Sequence, residues 1–193
     1  MISQKHNVEF AISMDVDDGS MNNTAIHTFL DSKKNVSYCY GENKNKVQAI
    51  NANMNDRNFD VVLLASDDMV PAIDGYDDII CTKMQEHFPN LDGCLHFNDG
   101  RVGRELNTLT IMGKKMYDHF GYIYHPDYVS LWCDNEFHDV TVAMGKSVYI
   151  DQVIIRHAWI DVTGHDSLHR HNESYHCKDK RVYEKRRNAG YPK

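Results

Sequence analysis

Two clusters of carboxylates follow two of the most hydrophobic segments of the sequence. Asp15, Asp17 and Asp18 come at the end of one short β-rich run, and Asp67 and Asp68 close another, VVLLAS. Both runs predict buried strands. If these strands are parallel neighbours, their carboxyl ends share one sheet edge and the clusters face one crevice. Such carboxylates repel one another unless a hard cation neutralises them, so we expect Mg²⁺ or Mn²⁺ there, bridging a diphosphate.

A purely structural interpretation of the second cluster remains open. Ser66, Asp67 and Asp68 are residue types that favour turns and helix N-caps, so they could simply end a strand. The first cluster lies one strand–helix unit earlier, and this spacing favours the metal hypothesis over an isolated turn.

The elements needed to position these acids alternate along the chain. Strands are predicted near 8–15, 36–40 and 60–68, and helical spacing of apolar residues separates them. Strand–helix–strand order favours right-handed crossovers and a mainly parallel sheet. The predicted fold is therefore α/β, a single Rossmann-like domain with a mainly parallel central sheet and flanking helices, followed by a helical C-terminal tail.

Composition narrows the class of protein. The chain has 193 residues, a net charge of −7, and five cysteines without a CxxC pair. We expect reduced thiols in a cytoplasm, no membrane partner and no indiscriminate binding to nucleic acid. Residues 164–193 hold eight Lys/Arg against four Asp/Glu, so an acidic body ends in a basic tail. The predicted division is a catalytic domain at 1–163 and the tail at 164–193.

Five motifs in order resemble those of the GT-A glycosyltransferases, particularly the large inverting family that includes chitin, cellulose and polysaccharide synthases. They extend over about residues 8 to 159. The segments are FAISMDVDDGSMN, ENKNKVQAINANM, DVVLLASDDMVP, LWCDNEF and IIRHAW. The resemblance implies the GT-A fold and transfer of a sugar from a nucleotide diphosphate sugar, such as a UDP-sugar, with Mn²⁺ or Mg²⁺.

The resemblance also implies roles for individual residues. Asp68 and His157 would ligate the metal, and Asp134 would be the general base, with Glu136 as the alternative. Residues implied to contact the nucleotide sugar are Asp15, Asp17, Asp18, Lys46 and Asp67. The register within MDVDDGS leaves open whether Asp15 or Asp17 contacts the base. One base acting in line implies inversion at the anomeric carbon.

Each residue also has a structural interpretation. Asp134 precedes a helical pattern and could be an N-cap, where the helix dipole would keep it ionised. His157 on an apolar strand could be a core histidine, and Lys46 a solvated helix residue. The aromatic residues before Asp134 could stack on a sugar or belong to the core; they are Tyr122, Tyr124, Tyr128 and Trp132.

The chain departs from the GT-A pattern at its start. Only seven residues precede Val8, where the family has a strand and a helix that help to form the nucleotide site. A partner subunit could supply that strand, and an exposed central edge favours a homo-oligomer. The alternative function is therefore a catalytically reduced GT-A binding protein that a partner chain completes.

The segment GYIYHPDYVSLWCDNEF is similar to small glycosyltransferase-like proteins of bacteriophages and some bacteria. That similarity implies a hydroxymethylated base in phage DNA, a host glycan or a small molecule as acceptor, and the host cytoplasm as location if the chain is phage-encoded. A nucleotidyltransferase of related fold is a further alternative, but the sequence has no Gly-rich phosphate loop.

Overall fold

The computed structural model describes residues 1–42, 45–54, 57–66, 68–158, 170–171 and 173–192. Within these ranges the fold is mixed α/β. The strands are β1 (Phe10–Asp15), β2 (Val36–Gly41), β3 (Val61–Leu63), β4 (Met69–Pro71), β5 (Cys94–Phe97), β6 (Ile111–Gly113), β7 (Ser147–Ile150) and β8 (Ile155–His157). The helices are α1 (Thr24–Asp31), α2 (Lys46–Ala52), α3 (Tyr76–His87), α4 (Lys114–Phe120), α5 (Cys133–Ala143) and α6 (His176–Asn188).

The strands form three sheets, and the expectation of a mainly parallel sheet is wrong. The four-stranded sheet has the order β3-β6-β5-β7, in which β6 is antiparallel to both neighbours and only β5 and β7 are parallel. Sheet β1-β2 is parallel, and sheet β4-β8 is antiparallel. The connection from β5 to β6 contains only the 3₁₀ turn Gly103–Glu105 and no crossover helix, and β6 returns antiparallel to β5.

Two apolar clusters hold the four-stranded sheet. One packs Met112 with Tyr128 and Phe137 near α4 and α5, and the other packs Leu95 and Ile111 against α3. Strands β5 and β6 are buried along their whole length. The core therefore lies around β5 and β6.

The two strands that precede the acid clusters are less buried than their sequences predict. All three residues of β3 are only half-buried, and in β1 only Met14 is buried while Phe10 is 40% exposed. Their pairing explains this, because among the described strands β3 pairs only with β6 and β1 pairs only with β2. A strand with a neighbour on one side leaves its other edge uncovered.

The described part of the basic tail packs on the domain. Helix α6 buries Asp179 completely, and its carboxylate accepts hydrogen bonds from the amides of Val129, Ser130 and Leu131. The Tyr183 hydroxyl donates to Asp139 of α5 at 2.7 Å. Helix α6 thereby fixes the backbone that leads into α5. Residues 159–169 lie outside the described part of the chain.

Across the ranges described, no helix combines the length and the apolar character that a bilayer crossing requires.

Candidate functional site

Asp68 and His157 lie in direct contact, although 89 positions separate them in the chain. The Asp68 Oδ2 atom lies 2.9 Å from His157 Nε2. Pairing of β4 with β8 places them together, with Met69 opposite His157 and the Ala158 amide donating to the Asp68 carbonyl at 2.7 Å. The His157 amide donates to the carbonyl of Asp99, which further fixes the end of β8.

The Asp68 carboxylate is held in its ionised form. The hydrogen bond to His157 lowers its pKa to about 2, although partial burial acts in the opposite direction. Its second oxygen, Oδ1, is buried and has no hydrogen-bond partner of good geometry among the described residues, although the nearby Ser66 side chain also helps to lower the pKa of the carboxyl. An unsatisfied buried carboxylate oxygen is costly unless a cation or a donor reaches it. Asp68 therefore has the negative charge and the unsatisfied carboxylate oxygen that a metal ligand needs.

Asp134 lies in the first turn of α5, beside the same pair. Burial raises the pKa of its carboxyl, whereas the charges of Lys46 and His157 lower it. Its Oδ1 accepts a hydrogen bond from the Asn135 amide at 3.0 Å. A carboxylate with a raised pKa and nearby cations suits a general base that must take a proton and still be ionised at neutral pH.

Backbone strain marks the entry to α5. Trp132, immediately before the helix, has a φ of 64°, the left-handed region that costs a residue with a side chain about 1 kcal/mol or more. The Trp132 ring lies 5.2 Å from that of Tyr183 on α6, so the tail holds this conformation. Strain of this kind is concentrated at functional sites, and here it orients the turn that carries Asp134.

Lys46 is the first residue of α2 and is exposed. The helix begins there because the Asn45 side chain accepts a hydrogen bond from the Gln48 amide. The Lys46 charge lowers the pKa of Asp134, so the ammonium group lies within electrostatic range of this carboxyl. We call Lys46, Asp68, Asp134 and His157 the four-residue cluster.

The sequence predicts that the first acid cluster and Asp68 follow neighbouring parallel strands. The structure does not pair those two strands. Strand β1 pairs with β2 and not with β3. Asp18 bonds within its own turn, where Oδ1 accepts from the Ser20 hydroxyl at 2.5 Å and from the Ser20 amide at 2.9 Å; the hydroxyl contact most, and then the amide contact, lowers the pKa of Asp18. Asp17 is exposed, and Asp15 is half-buried at the end of β1. Asp67 lies outside the described residues.

Glu136 does not fit the role of alternative base. It is 6% exposed and forms a two-pronged ion pair with Arg186, with Nε–Oε2 and Nη2–Oε1 distances of 2.8 Å and 2.9 Å. The Tyr128 hydroxyl donates to Oε2 at 2.7 Å. These contacts make Glu136 and Arg186 a structural ion pair that binds α5 to α6.

The aromatic segment divides between core and cavity. Tyr124 and Tyr128 are buried, and the Asn51 side chain fixes their loop by donating to the Tyr124 carbonyl and accepting from the Ile123 amide. A cavity of about 350 Å³ opens beside Tyr122, between α5 and the end of the chain. The sequence analysis did not predict this role of Asn51, although the residue belongs to the motif ENKNKVQAINANM.

A dedicated protein cage for a metal is not present among the described residues, where no three His, Cys, Asp or Glu side chains are arranged to hold an ion. Mg²⁺ and Mn²⁺ do not need one when a diphosphate and water supply the other oxygens. The Asp68 carboxylate with its orphaned oxygen, together with the His157 imidazole, fits such a shared site.

The contact between Asp68 and His157 predicts a specific pH dependence of stability. Because folding lowers the pKa of Asp68 to about 2, its contribution is present above the unfolded value of about 4 and is lost as the pH falls towards 2. Asp68→Asn should therefore be less stable than the wild type at pH 6, and this gap should close below pH 4. Urea unfolding across that range measures it, with Asp118→Asn, at an exposed carboxylate of α4, as the control. A gap that stays constant with pH would contradict the assignment.

Comparisons with protein-family models, with curated proteins and with solved structures gave no match to this chain.

Proposed function

We propose that this chain is a metal-dependent glycosyltransferase that moves a sugar from a nucleotide diphosphate sugar, such as a UDP-sugar, to an acceptor hydroxyl. The proposal rests on the contact between Asp68 and His157 at 2.9 Å. Beside this pair lies the Asp134 carboxyl, and burial raises its pKa. Residues from β4, β8, α2 and α5 contribute to this one place. Neither the strand ends nor the helix start would need this convergence for packing alone.

The proposed chemistry is a single displacement. The Asp134 carboxylate takes the proton of the acceptor hydroxyl, whose oxygen forms a bond to the anomeric carbon. The bond from that carbon to the diphosphate oxygen breaks, and the nucleoside diphosphate leaves with the electron pair. One displacement from the opposite face inverts the configuration. A bound Mn²⁺ or Mg²⁺ would neutralise charge on the departing diphosphate.

Each residue of the cluster has a proposed task in this reaction. Asp68 would hold the cation through an anionic oxygen, and His157 would hold it through a ring nitrogen. Lys46 supplies positive charge near the nucleotide and keeps Asp134 ionised. Asp15, Asp17, Asp18 and Asp67 are proposed to contact the nucleotide sugar.

The remaining parts of the proposal are broader. We propose a GT-A arrangement for the domain. We also propose that the protein acts in the cytoplasm, and the five free thiols of the structure support this location. The proposed acceptor is a modified base in phage DNA or a glycan. The second candidate function is a catalytically reduced binding protein, favoured by one edge each of β1 and β3 that no other strand in the described ranges pairs with.

A binding experiment tests the metal assignment. Mn²⁺ with UDP at about 100 times the dissociation constant would stabilise the fold by about 2.7 kcal/mol, seen as a rise in the thermal midpoint. We expect the rise to need both ligands and to be lost in Asp68→Ala, because the ligand oxygen is gone.

Asp118→Ala removes an exposed carboxylate of α4 and should keep the full rise. Equal stabilisation of Asp68→Ala and the wild type would refute the role of Asp68. Stabilisation without any donor turnover would instead favour the binding protein.

A further inference from the structure

The cavity of about 350 Å³ beside Tyr122 has no task in the proposed sugar transfer. Helix α5 forms one wall, with side chains at successive turns of one helix face: Cys133, Phe137, Val140 and Met144. Cys133 and Phe137 are buried, whereas Met144 is 40% exposed. The cavity therefore has a deep end under the first turn of α5 and a mouth at the end of that helix. Its volume lies in the range of roughly 300–1,000 Å³ that small-molecule sites occupy.

Flat rings form the opposite wall. The rings of Phe120 and Tyr122 are stacked, with centroids 5.8 Å apart and an angle of 21° between their planes. The His125 ring meets Tyr122 edge-on, at a centroid distance of 5.1 Å. A planar aromatic ligand complements such faces and edges better than a branched aliphatic one.

The third wall, formed by Gly190 and Tyr191, is already fixed to the two helices. The Tyr191 hydroxyl donates to Asp139 of α5 at 2.6 Å. One residue further on, the Pro192 carbonyl accepts from Nη2 of Arg186 on α6 at 2.7 Å. The cavity is therefore formed without a ligand, and binding costs little ordering of the protein.

Two polar groups of the aromatic wall have no hydrogen-bond partner among the described residues. One is the Tyr122 hydroxyl, which keeps its proton because burial raises the pKa of Tyr122. The other is Nε2 of His125. Its Nδ1 accepts from the Asp127 amide at 3.2 Å, so the neutral ring carries its proton on Nε2. Burial lowers the pKa of His125, which keeps the ring neutral at pH 7. Both groups can donate to a ligand.

The charges beside the cavity select against an anion. Glu136 lines it, and the two oxygens of this carboxylate already accept from Arg186 and from the Tyr128 hydroxyl. A second carboxylate, Asp139, lies behind Tyr191. Two carboxylates against one guanidinium leave an excess of negative charge, which repels an anionic ligand.

We propose that this cavity binds a small, neutral, planar aromatic molecule of one or two fused rings, with a carbonyl oxygen or ring nitrogen that accepts from Tyr122 and His125. Such a ligand contacts α5, the aromatic segment and the end of the chain at once, and so reinforces the packing of α5 with α6. The inference is independent of sugar transfer, because no member of the four-residue cluster lines the cavity.

Coumarin is a suitable probe, since it is neutral, has two fused rings and carries one carbonyl. A titration of the full chain is followed by the amide shifts in two-dimensional NMR at pH 7.5. We expect saturable shifts at Gly121, Ala143 and Gly190, with a dissociation constant in the millimolar range or below. Coumarin-3-carboxylate adds an anion to the same rings and should bind at least about tenfold more weakly.

Two tryptophan variants test the location. Ala143→Trp places a large ring at the mouth and should weaken coumarin binding at least about tenfold. Val142→Trp makes a similar change at the next residue, which is 53% exposed and does not line the cavity, so it should bind like the wild type. Both positions are exposed, so both variants should fold, and their thermal midpoints check this.

A third variant tests the polar contact. Tyr122→Phe keeps the ring and breaks no hydrogen bond within the described ranges. Loss of one ligand hydrogen bond should weaken coumarin binding by about threefold to tenfold.

Four results would overturn the proposal. They are no saturable binding of coumarin at millimolar concentration, unchanged binding in Ala143→Trp, unchanged binding in Tyr122→Phe, and equal binding of coumarin-3-carboxylate. A chain shortened by Lys193 should bind like the wild type. Binding that appears only in the shortened chain would also refute the proposal, because the last residue would then be the occupant. UDP binding with Mn²⁺ is measured separately, so failure here leaves the proposed function standing.

Discussion

Asp134→Asn should abolish sugar transfer and at the same time make the protein more stable. Loss of a general base removes roughly 10²- to 10⁴-fold in rate. The amide keeps the shape of the carboxyl, so binding of UDP with Mn²⁺ should remain. The measurement is nucleoside diphosphate release that depends on the acceptor, with binding of UDP as a parallel readout.

The rise in stability has a separate cause. Burial raises the pKa of Asp134, so the ionised carboxylate destabilises the folded state at neutral pH. The neutral amide removes this cost, so the thermal midpoint should rise. The difference should shrink at low pH, where the wild-type carboxyl is itself protonated.

Asp118→Asn makes the same chemical change at an exposed carboxylate that pairs only with Lys114 on the surface of α4, so it should leave the rate unchanged and shift the midpoint only slightly. Full transfer activity in Asp134→Asn would exclude Asp134 as the base. A lower midpoint in that variant at pH 7 would instead show that the carboxylate stabilises its surroundings.

Arg186→Met should produce the largest loss of stability among the substitutions considered. It leaves the buried Glu136 carboxylate without its guanidinium partner, and breaking such a pair from one side costs roughly 3–5 kcal/mol. For a chain of this length, that loss lowers the thermal midpoint by roughly 6–20 °C. The neighbouring Arg187→Met, at an exposed position of α6, should cost far less.

A double variant distinguishes loss of the pair from loss of packing. Arg186→Met combined with Glu136→Leu removes both charges and leaves apolar atoms in their place. Its stability loss should be smaller than that of Arg186→Met alone, because no buried charge is left unpaired. Strictly additive losses would mean that the two side chains act independently.

The pairing of distant residues was the part of the site that the sequence predicted best. Asp68 ends a hydrophobic run and His157 ends an apolar strand, and the β4-β8 pairing does place them in contact. Strand β2, Val36–Gly41, also lies where the sequence predicts a strand, near 36–40. The roles of Asp68 and His157 as metal ligands remain predictions.

Other features depend on packing that no local pattern encodes. The antiparallel direction of β6 follows from a helix-free connection, which hydrophobic periodicity does not reveal. Glu136 looked like a base beside Asp134, but its partner Arg186 lies 50 positions away on a helix whose docking a charge count cannot predict. The half-burial of β3 likewise depends on a missing neighbour rather than on its own residues.

The central claim is that Asp68 and His157 together hold a cation that binds the donor diphosphate. Pulsed electron paramagnetic resonance of Mn²⁺ with UDP on the protein tests it directly, because a histidine ligand couples its ring nitrogen to the metal. The account predicts this nitrogen coupling in the wild type and its loss in His157→Gln, with His87→Gln on α3 unchanged. Bound Mn²⁺ without nitrogen coupling, or coupling that survives in His157→Gln, would contradict it.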